Sequence, residues 1–166
     1  MTKENYIKMT QPFRDHPEMA KGIHIANKLC TGLMYVAYPI LIVYLFLQRD
    51  AMLYRAILVP AISFVLLSVS RYGINRKRPY EKFEIEPVIK KDTKGKSFPS
   101  RHVFSASIIA LTFLYASPWM WLGVIFFTVA IALGVVRVVS GVHYISDVIA
   151  GIVVAVISAW IGFGIV

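Results

Sequence analysis

VFSASIIALTFLYASPWMWLGVIFFTVAIALGVV, residues 103–136, runs 34 positions without a charged side chain. A membrane-spanning helix needs roughly 20 apolar residues, so this stretch is too long for one span and too apolar for a loop. Ser117-Pro118 offers the break, because proline lacks an amide hydrogen and disfavours helix in the residue before it. The stretch therefore reads as two spans, about 101–116 and 119–136. Outward from it, Leu29 to Gln48, Ala56 to Ser70 and Val148 to Val166 are also free of charge, which adds spans at about 29–47, 53–70 and 147–165. A soluble protein with four such runs in 166 residues would have too little polar sequence to cover them. With 57% hydrophobic residues and a mean hydropathy of +0.63, the chain reads as an all-α, polytopic membrane helical bundle of about five transmembrane helices. Trp119, Trp121, Tyr44 and Tyr54 fall near the expected span ends, as an interfacial aromatic belt requires.

Residues 1–28 are mixed and basic, without the uninterrupted apolar core and small-residue cleavage site of a signal peptide. They read as an N-terminal interfacial helix, with Ile7, Phe13, Met19 and Ile23 available to dip into headgroups. The remainder, 29–166, reads as one membrane domain. The single cysteine, Cys30, precludes an intrachain disulfide or a thiolate metal cluster and packs in the first span.

A net charge of +9 in a soluble domain would suggest nucleic acid, but the distribution argues for no nucleic-acid partner. Of 18 Lys and Arg residues, five lie in residues 1–28, ten between Arg71 and Arg101 and one at Arg137, leaving Arg49 and Arg55 elsewhere. Five spans put the first three groups on one face of the membrane, where they meet anionic headgroups. The excess of basic residues in short flanking segments also assigns that face to the cytoplasmic side of a cell membrane.

Chemistry-bearing residues gather at the ends of the apolar runs. Arg71 and Arg78 are seven apart, two helical turns, and point the same way if the second span continues past the membrane until Pro79 ends it. Ser100 follows Pro99 and precedes an apolar run, an N-cap position whose free backbone N–H groups suit a phosphate. His143 and Asp147 are four apart and stack on one face of the last span, so the carboxylate can hold the imidazole Nδ1–H and leave Nε2 free to attack phosphorus. Arg137 can grip phosphate oxygens as a bidentate fork. Taken singly, an arginine at a span end is a snorkelling anchor and a histidine there a packed polar residue; the set in one chain suits a phosphate on a membrane-borne substrate. The surrounding arginines would repel a metal ion, and few further carboxylates or thiols lie near. Glu81, Glu84, Glu86 and Asp92, with Lys90, Lys91, Lys94 and Lys96, read as solvating the long polar loop.

These residues resemble the type 2 phosphatidic acid phosphatase superfamily, whose signature is Lys-x6-Arg-Pro, Pro-Ser-Gly-His and Ser-Arg-x5-His-x3-Asp. Here they stand as Arg71-x6-Arg78-Pro79, Pro99-Ser100-Arg101-His102 and Val136-Arg137-x5-His143-x3-Asp147. The resemblance runs from about the first span to the C-terminus. It implies hydrolysis of a phosphomonoester or pyrophosphate headgroup, as in phosphatidic acid, phosphatidylglycerophosphate or undecaprenyl pyrophosphate. In it His143 is the nucleophile that forms a phosphohistidine, Asp147 its orienter and His102 the general acid. Arg71, Arg78, Ser100 and Arg137 bind phosphate, with no cofactor and no metal. Arg in place of Lys at 71 keeps the charge but changes a point donor to a fork, Val136 in place of Ser removes a hydroxyl, and Arg101 in place of Gly adds a cation suited to a more highly charged headgroup. The family commonly has six spans, so five imply that the first is lost or replaced by the N-terminal segment. Two rivals are a vanadate-dependent haloperoxidase-like enzyme, which the hydropathy opposes, and a non-catalytic anionic-lipid binding or transport protein. The pattern carries no signal for oligomeric state.

Overall fold

The computed structural model describes residues 2–91 and 93–164, so Asp92 and the last residue of the fifth expected span lie outside the described residues. All regular structure among them is helical: α1 (Lys3–Asp15), α2 (Pro17–Leu47), α3 (Met52–Ile74), α4 (Pro79–Phe83), α5 (Arg101–Ala116), α6 (Met120–Val139) and α7 (Ile145–Ala159), the last running into a π-helical turn, Trp160–Gly164. Four of these, α2, α3, α6 and α7 with its turn, are long and apolar enough to cross a membrane. The chain is an integral membrane protein.

The third expected span, about 101–116, is α5, which has only 16 residues, ten of them buried. It packs against α6, α7, α3 and α2. A helix enclosed by protein need not match the hydrocarbon thickness, so α5 can be short. Small residues let the surrounding helices approach. A Cβ on Gly151 of α7 would stand 2.9 Å from the Ser100 carbonyl oxygen, and one on Gly134 of α6 would stand 2.7 Å from Val148. The α5 and α7 backbones approach closely at Gly151, the Val148 side chain fits over Gly134, and the start of α5, the end of α6 and the start of α7 meet at one end of the bundle. The outward faces of α2, α3, α6 and α7 expose Leu33, Val43, Val65, Val135 and Val153, the lipid-facing surface of such a bundle.

Helix ends depart from the expectations. Residues 17–28 belong to α2, which begins at Pro17, so the break in the N-terminal segment falls at His16 and not at 28. Proline is favoured in a first helical turn, where its missing N–H has no carbonyl to serve. The same rule corrects Pro79. It does not end α3, which stops at Ile74 with Asn75 in the left-handed conformation; it opens α4 instead. The α1 helix does more than lie at an interface, since its Tyr6 and Thr10 are buried against the bundle.

Candidate active site

The turn between α6 and α7 holds His143, and this corrects the placement of His143 and Asp147 on one helix. The helix begins at Ile145, Tyr144 is its N-cap, and only Asp147 lies inside it, in the first turn. An anionic side chain there meets the unpaired N–H groups of the helix start, and Asp147 Oδ2 accepts from the Tyr144 backbone N–H at 3.0 Å. The intended pairing survives the change of geometry: His143 Nδ1 lies 3.4 Å from Asp147 Oδ2, with both side chains 1% exposed or less. A carboxylate only accepts, so Nδ1 carries the proton and Nε2 keeps its lone pair. Burial, reinforced by Arg137 and Arg78, pushes the His143 pKa down to about 3 against the pull of Asp147, leaving a neutral imidazole at ordinary pH.

Around Asp147 stand residues that the sequence did not single out. Ser97 donates to Oδ2 at 2.5 Å and lies 3.5 Å from His143 Nδ1. Arg76 donates to Oδ1 at 2.7 Å and lies over the Tyr144 ring, 4.1 Å from its centroid. Tyr6, fully buried in α1, donates its hydroxyl to the His143 carbonyl at 2.5 Å. The nucleophile candidate is thus tied from both sides, its ring through Asp147 and its backbone through Tyr6.

Arg71, Arg78, Arg101, His102 and His143 line one cavity of about 270 Å³. The forks also hold the loop that roofs it. Arg71 donates to the carbonyls of Pro99 and Lys96, and Arg78 to those of Gly95 at 3.1 Å and Val142 at 3.3 Å. Glu81 is not merely solvating: its Oε2 accepts from the backbone N–H of Arg78 at 2.9 Å and of Gly95 at 2.7 Å. Gly95 has φ +64°, a left-handed conformation that favours glycine, and a Cβ there would push against the Asn75 side-chain amide. Two lysines read as solvating, Lys91 and Lys96, line the cavity instead. Glu84, Glu86, Lys90 and Lys94 are exposed, as expected.

Ser100, Arg137 and Asp147 do not line the cavity and are fully or almost fully buried. Ser100 occupies the N-cap of α5, but its side chain makes no capping bond and its N–H donates to the Asp147 carbonyl at 2.8 Å. That N–H is already committed within the protein. Its Oγ is buried without a hydrogen-bond partner among the described residues. Arg137, 1% exposed, donates through Nη1 to Asn27 at 3.1 Å, while its Nε and Nη2 have no hydrogen-bond partner among the described residues. Leaving charged donors buried and unpaired is costly, and an oxyanion is the group that would satisfy them. Among the described residues, no three His, Cys, Asp or Glu side chains cluster so as to hold a metal ion.

Residues 51–166, more than half of the chain, match the PAP2 superfamily. The chain belongs to that superfamily. It is 33% identical over 135 residues, 80% of this chain and 63% of the relative, to the undecaprenyl-diphosphatase of Sulfolobus acidocaldarius. It is also 41% identical over 66 residues, 38% of this chain and 30% of the relative, to the bacitracin transport permease protein BcrC of Bacillus licheniformis. The chain therefore spans less than two thirds of either relative. Aquifex aeolicus LpxE superposes with a TM-score of 0.74 at 25% identity, covering 97% of this chain and 93% of that one. The PAP2-type phosphatidylglycerolphosphate phosphatase of Bacillus subtilis superposes with a TM-score of 0.73 at 19% identity over 97% and 84%. This second likeness bears on the fold alone.

Proposed function

We propose that this PAP2 protein is a metal-independent membrane phosphatase that hydrolyses a lipid-borne phosphate, with a polyprenyl diphosphate as the favoured substrate, through a phosphohistidine on His143. The observation that carries the reading is a fully buried His143, held by Asp147 through Nδ1, in the wall of a cavity lined by Arg71, Arg78, Arg101, Lys91 and Lys96. The favoured substrate class draws on the undecaprenyl-diphosphatase among its relatives. Residues 29–166 form the phosphatase domain; residues 1–28 contribute Tyr6 and Asn27, which tie His143 and Arg137.

In this mechanism Nε2 of His143 attacks phosphorus, an N–P bond forms and the bridging P–O bond breaks with its electron pair leaving on the lipid oxygen. His102 supplies the proton when that oxygen belongs to an alcohol. Arg71, Arg78 and Arg137 neutralise the equatorial oxygens as charge develops, aided by Ser100 Oγ. Water then cleaves the N–P bond, releasing inorganic phosphate and restoring the imidazole. An arginine-lined cavity supplies the charge stabilisation that a metal would otherwise bring.

The test is phosphate release in detergent from phosphatidic acid, phosphatidylglycerophosphate and undecaprenyl diphosphate. Activity is expected to survive EDTA, to be inhibited by vanadate and to vanish in His143→Ala. Near-normal turnover in His143→Ala, or loss on chelation that divalent metal restores, overturns the mechanism; lipid binding without phosphate release makes the protein a carrier. We also propose that the site faces the cytoplasm of the cell membrane. A Cys30→Ala, Thr93→Cys variant should resist an impermeant maleimide in intact cells, and strong labelling there reverses the orientation.

A further inference from the structure

The cationic cavity shares two residues, Arg101 and His102, with an apolar groove. From them the groove passes Met34, Phe64 and Ile109 and continues to Ile57 and Pro60, between α2, α3 and α5. The Arg101 guanidinium lies at the seam, 5.6 Å from the centroid of the Phe64 ring on the groove side, and it is exposed. The order along this path is apolar groove, then Arg101 and His102, then His143 with Arg71 and Arg78.

A lipid whose hydrocarbon occupies the groove meets these groups in the same order. A phosphate close enough to His143 to react leaves the seam to whatever group joins it to the tail. In a monoester that group is an uncharged carbon–oxygen link. In a diphosphate it is a second phosphate. Resting on the lipid phosphatase reading, we propose that Arg101 is the residue that selects a lipid diphosphate, by holding the phosphate that stays on the lipid. Charge agrees: Arg71, Arg78, Arg101, Lys91 and Lys96 all line the cavity, more cations than a dianionic monoester balances. Chemistry agrees as well. When Nε2 of His143 bonds to the terminal phosphorus, the bridging P–O bond breaks and its electron pair leaves on the lipid phosphate, so negative charge grows beside Arg101. Water afterwards splits the N–P bond to give inorganic phosphate. For a monoester the charge grows on an alkoxide that His102 must protonate, and a guanidinium at the seam contributes less.

The experiment compares kcat/KM on a polyprenyl diphosphate and on the matching polyprenyl monophosphate for the wild type, Arg101→Gln and Arg101→Lys. Gln keeps size and helical preference while removing the charge. The diphosphate-over-monophosphate ratio is expected to fall about 10- to 100-fold in Arg101→Gln, the usual worth of one charge-assisted contact, and to be largely retained in Arg101→Lys. An unchanged ratio, or equal losses on both substrates, overturns the proposal. A second arm measures binding of the same two lipids to His143→Ala with and without Arg101→Gln. If the wild type releases phosphate from neither lipid, the phosphatase reading fails. The binding arm still decides the role of Arg101, which requires a diphosphate preference that Arg101→Gln abolishes.

Discussion

Arg71, Arg78 and Arg137 are 7%, 4% and 1% exposed and bonded to backbone or amide oxygens, whereas Lys91 and Lys96 are half-buried and Arg101 is exposed. The outer group is held loosely: Lys96 Nζ lies 3.5 Å from the Tyr72 ring centroid and Arg101 is over Phe64. Some N–H groups of the inner arginines fix the loop 95–99, the turn after α6 or α2, and in Arg137 two nitrogens, Nε and Nη2, have no hydrogen-bond partner among the described residues. Desolvating three guanidiniums is expensive, a cost that the proposed mechanism accounts for by setting the reacting phosphate against a preorganised wall. Two of the outer cations, Lys96 and Arg101, lie over aromatic faces and adapt at small cost, which suits the proposed role of choosing among headgroups without setting the geometry of the reaction.

Arg137→Lys tests this difference hardest. Lysine keeps the charge but has no fork, so it cannot hold Asn27 and also meet an anion from one planar group, as the proposed mechanism requires of Arg137. A loss of about 10²-fold in kcat/KM is expected, on the scale of one or two charge-assisted hydrogen bonds. Thermal unfolding should report a protein that is still folded. Lys96→Arg, the equivalent exchange in the outer group, should change activity by about threefold or less. Similar losses for the two variants would erase the distinction between the groups.

A smaller effect is expected from Tyr6→Phe, which removes only the hydroxyl that donates to the His143 carbonyl at 2.5 Å and to that of Val138 at 3.3 Å. Tyr6 lies outside residues 51–166, the part of the chain that matches the superfamily, so this tie is additional to the family motifs. Leaving a buried acceptor unpaired costs about 1–3 kcal/mol, and because the bond fixes the nucleophile, kcat should fall about tenfold with KM nearly constant. Thr10→Val disturbs α1 without touching His143 and serves as the control. Equal effects of the two changes would reduce Tyr6 to a packing role.

The parts of this arrangement that could be read from the chain are those with a periodic or charge-free signature. Long uncharged runs gave the spans, and Ser117-Pro118 divided α5 from α6 because proline acts locally. The motif residues stood at helix ends where unpaired N–H groups and apolar boundaries are visible in order along the chain. Ser97, Arg76 and Tyr6 had no such signature. Each meets Asp147 or His143 across 46 to 137 residues of sequence, and a polar loop that folds back on itself looks the same as one that is solvated. Pro79 was misread because proline both ends and begins helices. The signal that distinguishes the cases was Asn75 four residues earlier, a residue tolerant of the left-handed C-cap it adopts.

Lys91 sharpens the comparison in the pH dimension. Burial, followed by the charges of Arg137, Arg78, Arg101 and Arg71, pushes its pKa down to about 8. A lysine is cationic below its pKa and neutral above it, so the cavity loses one positive charge as pH rises through about 8, while the inner arginines stay protonated. His143, with its pKa near 3, is neutral throughout and contributes no acid limb above about pH 5. Bound phosphate would stabilise the lysine cation and raise its pKa, so the alkaline limb belongs to the free enzyme and is expected in kcat/KM more than in kcat. Lys91→Arg holds the charge to far higher pH. Its kcat/KM at pH 7 should lie within about threefold of wild type, the usual scale for a partly solvated charge, and the fall near pH 8 should disappear. Phosphate release measured from pH 6 to pH 10 decides it: if the limb persists unchanged in Lys91→Arg, the titrating group is not Lys91, and the outer cations do not govern capture of the headgroup in the way their placement implies.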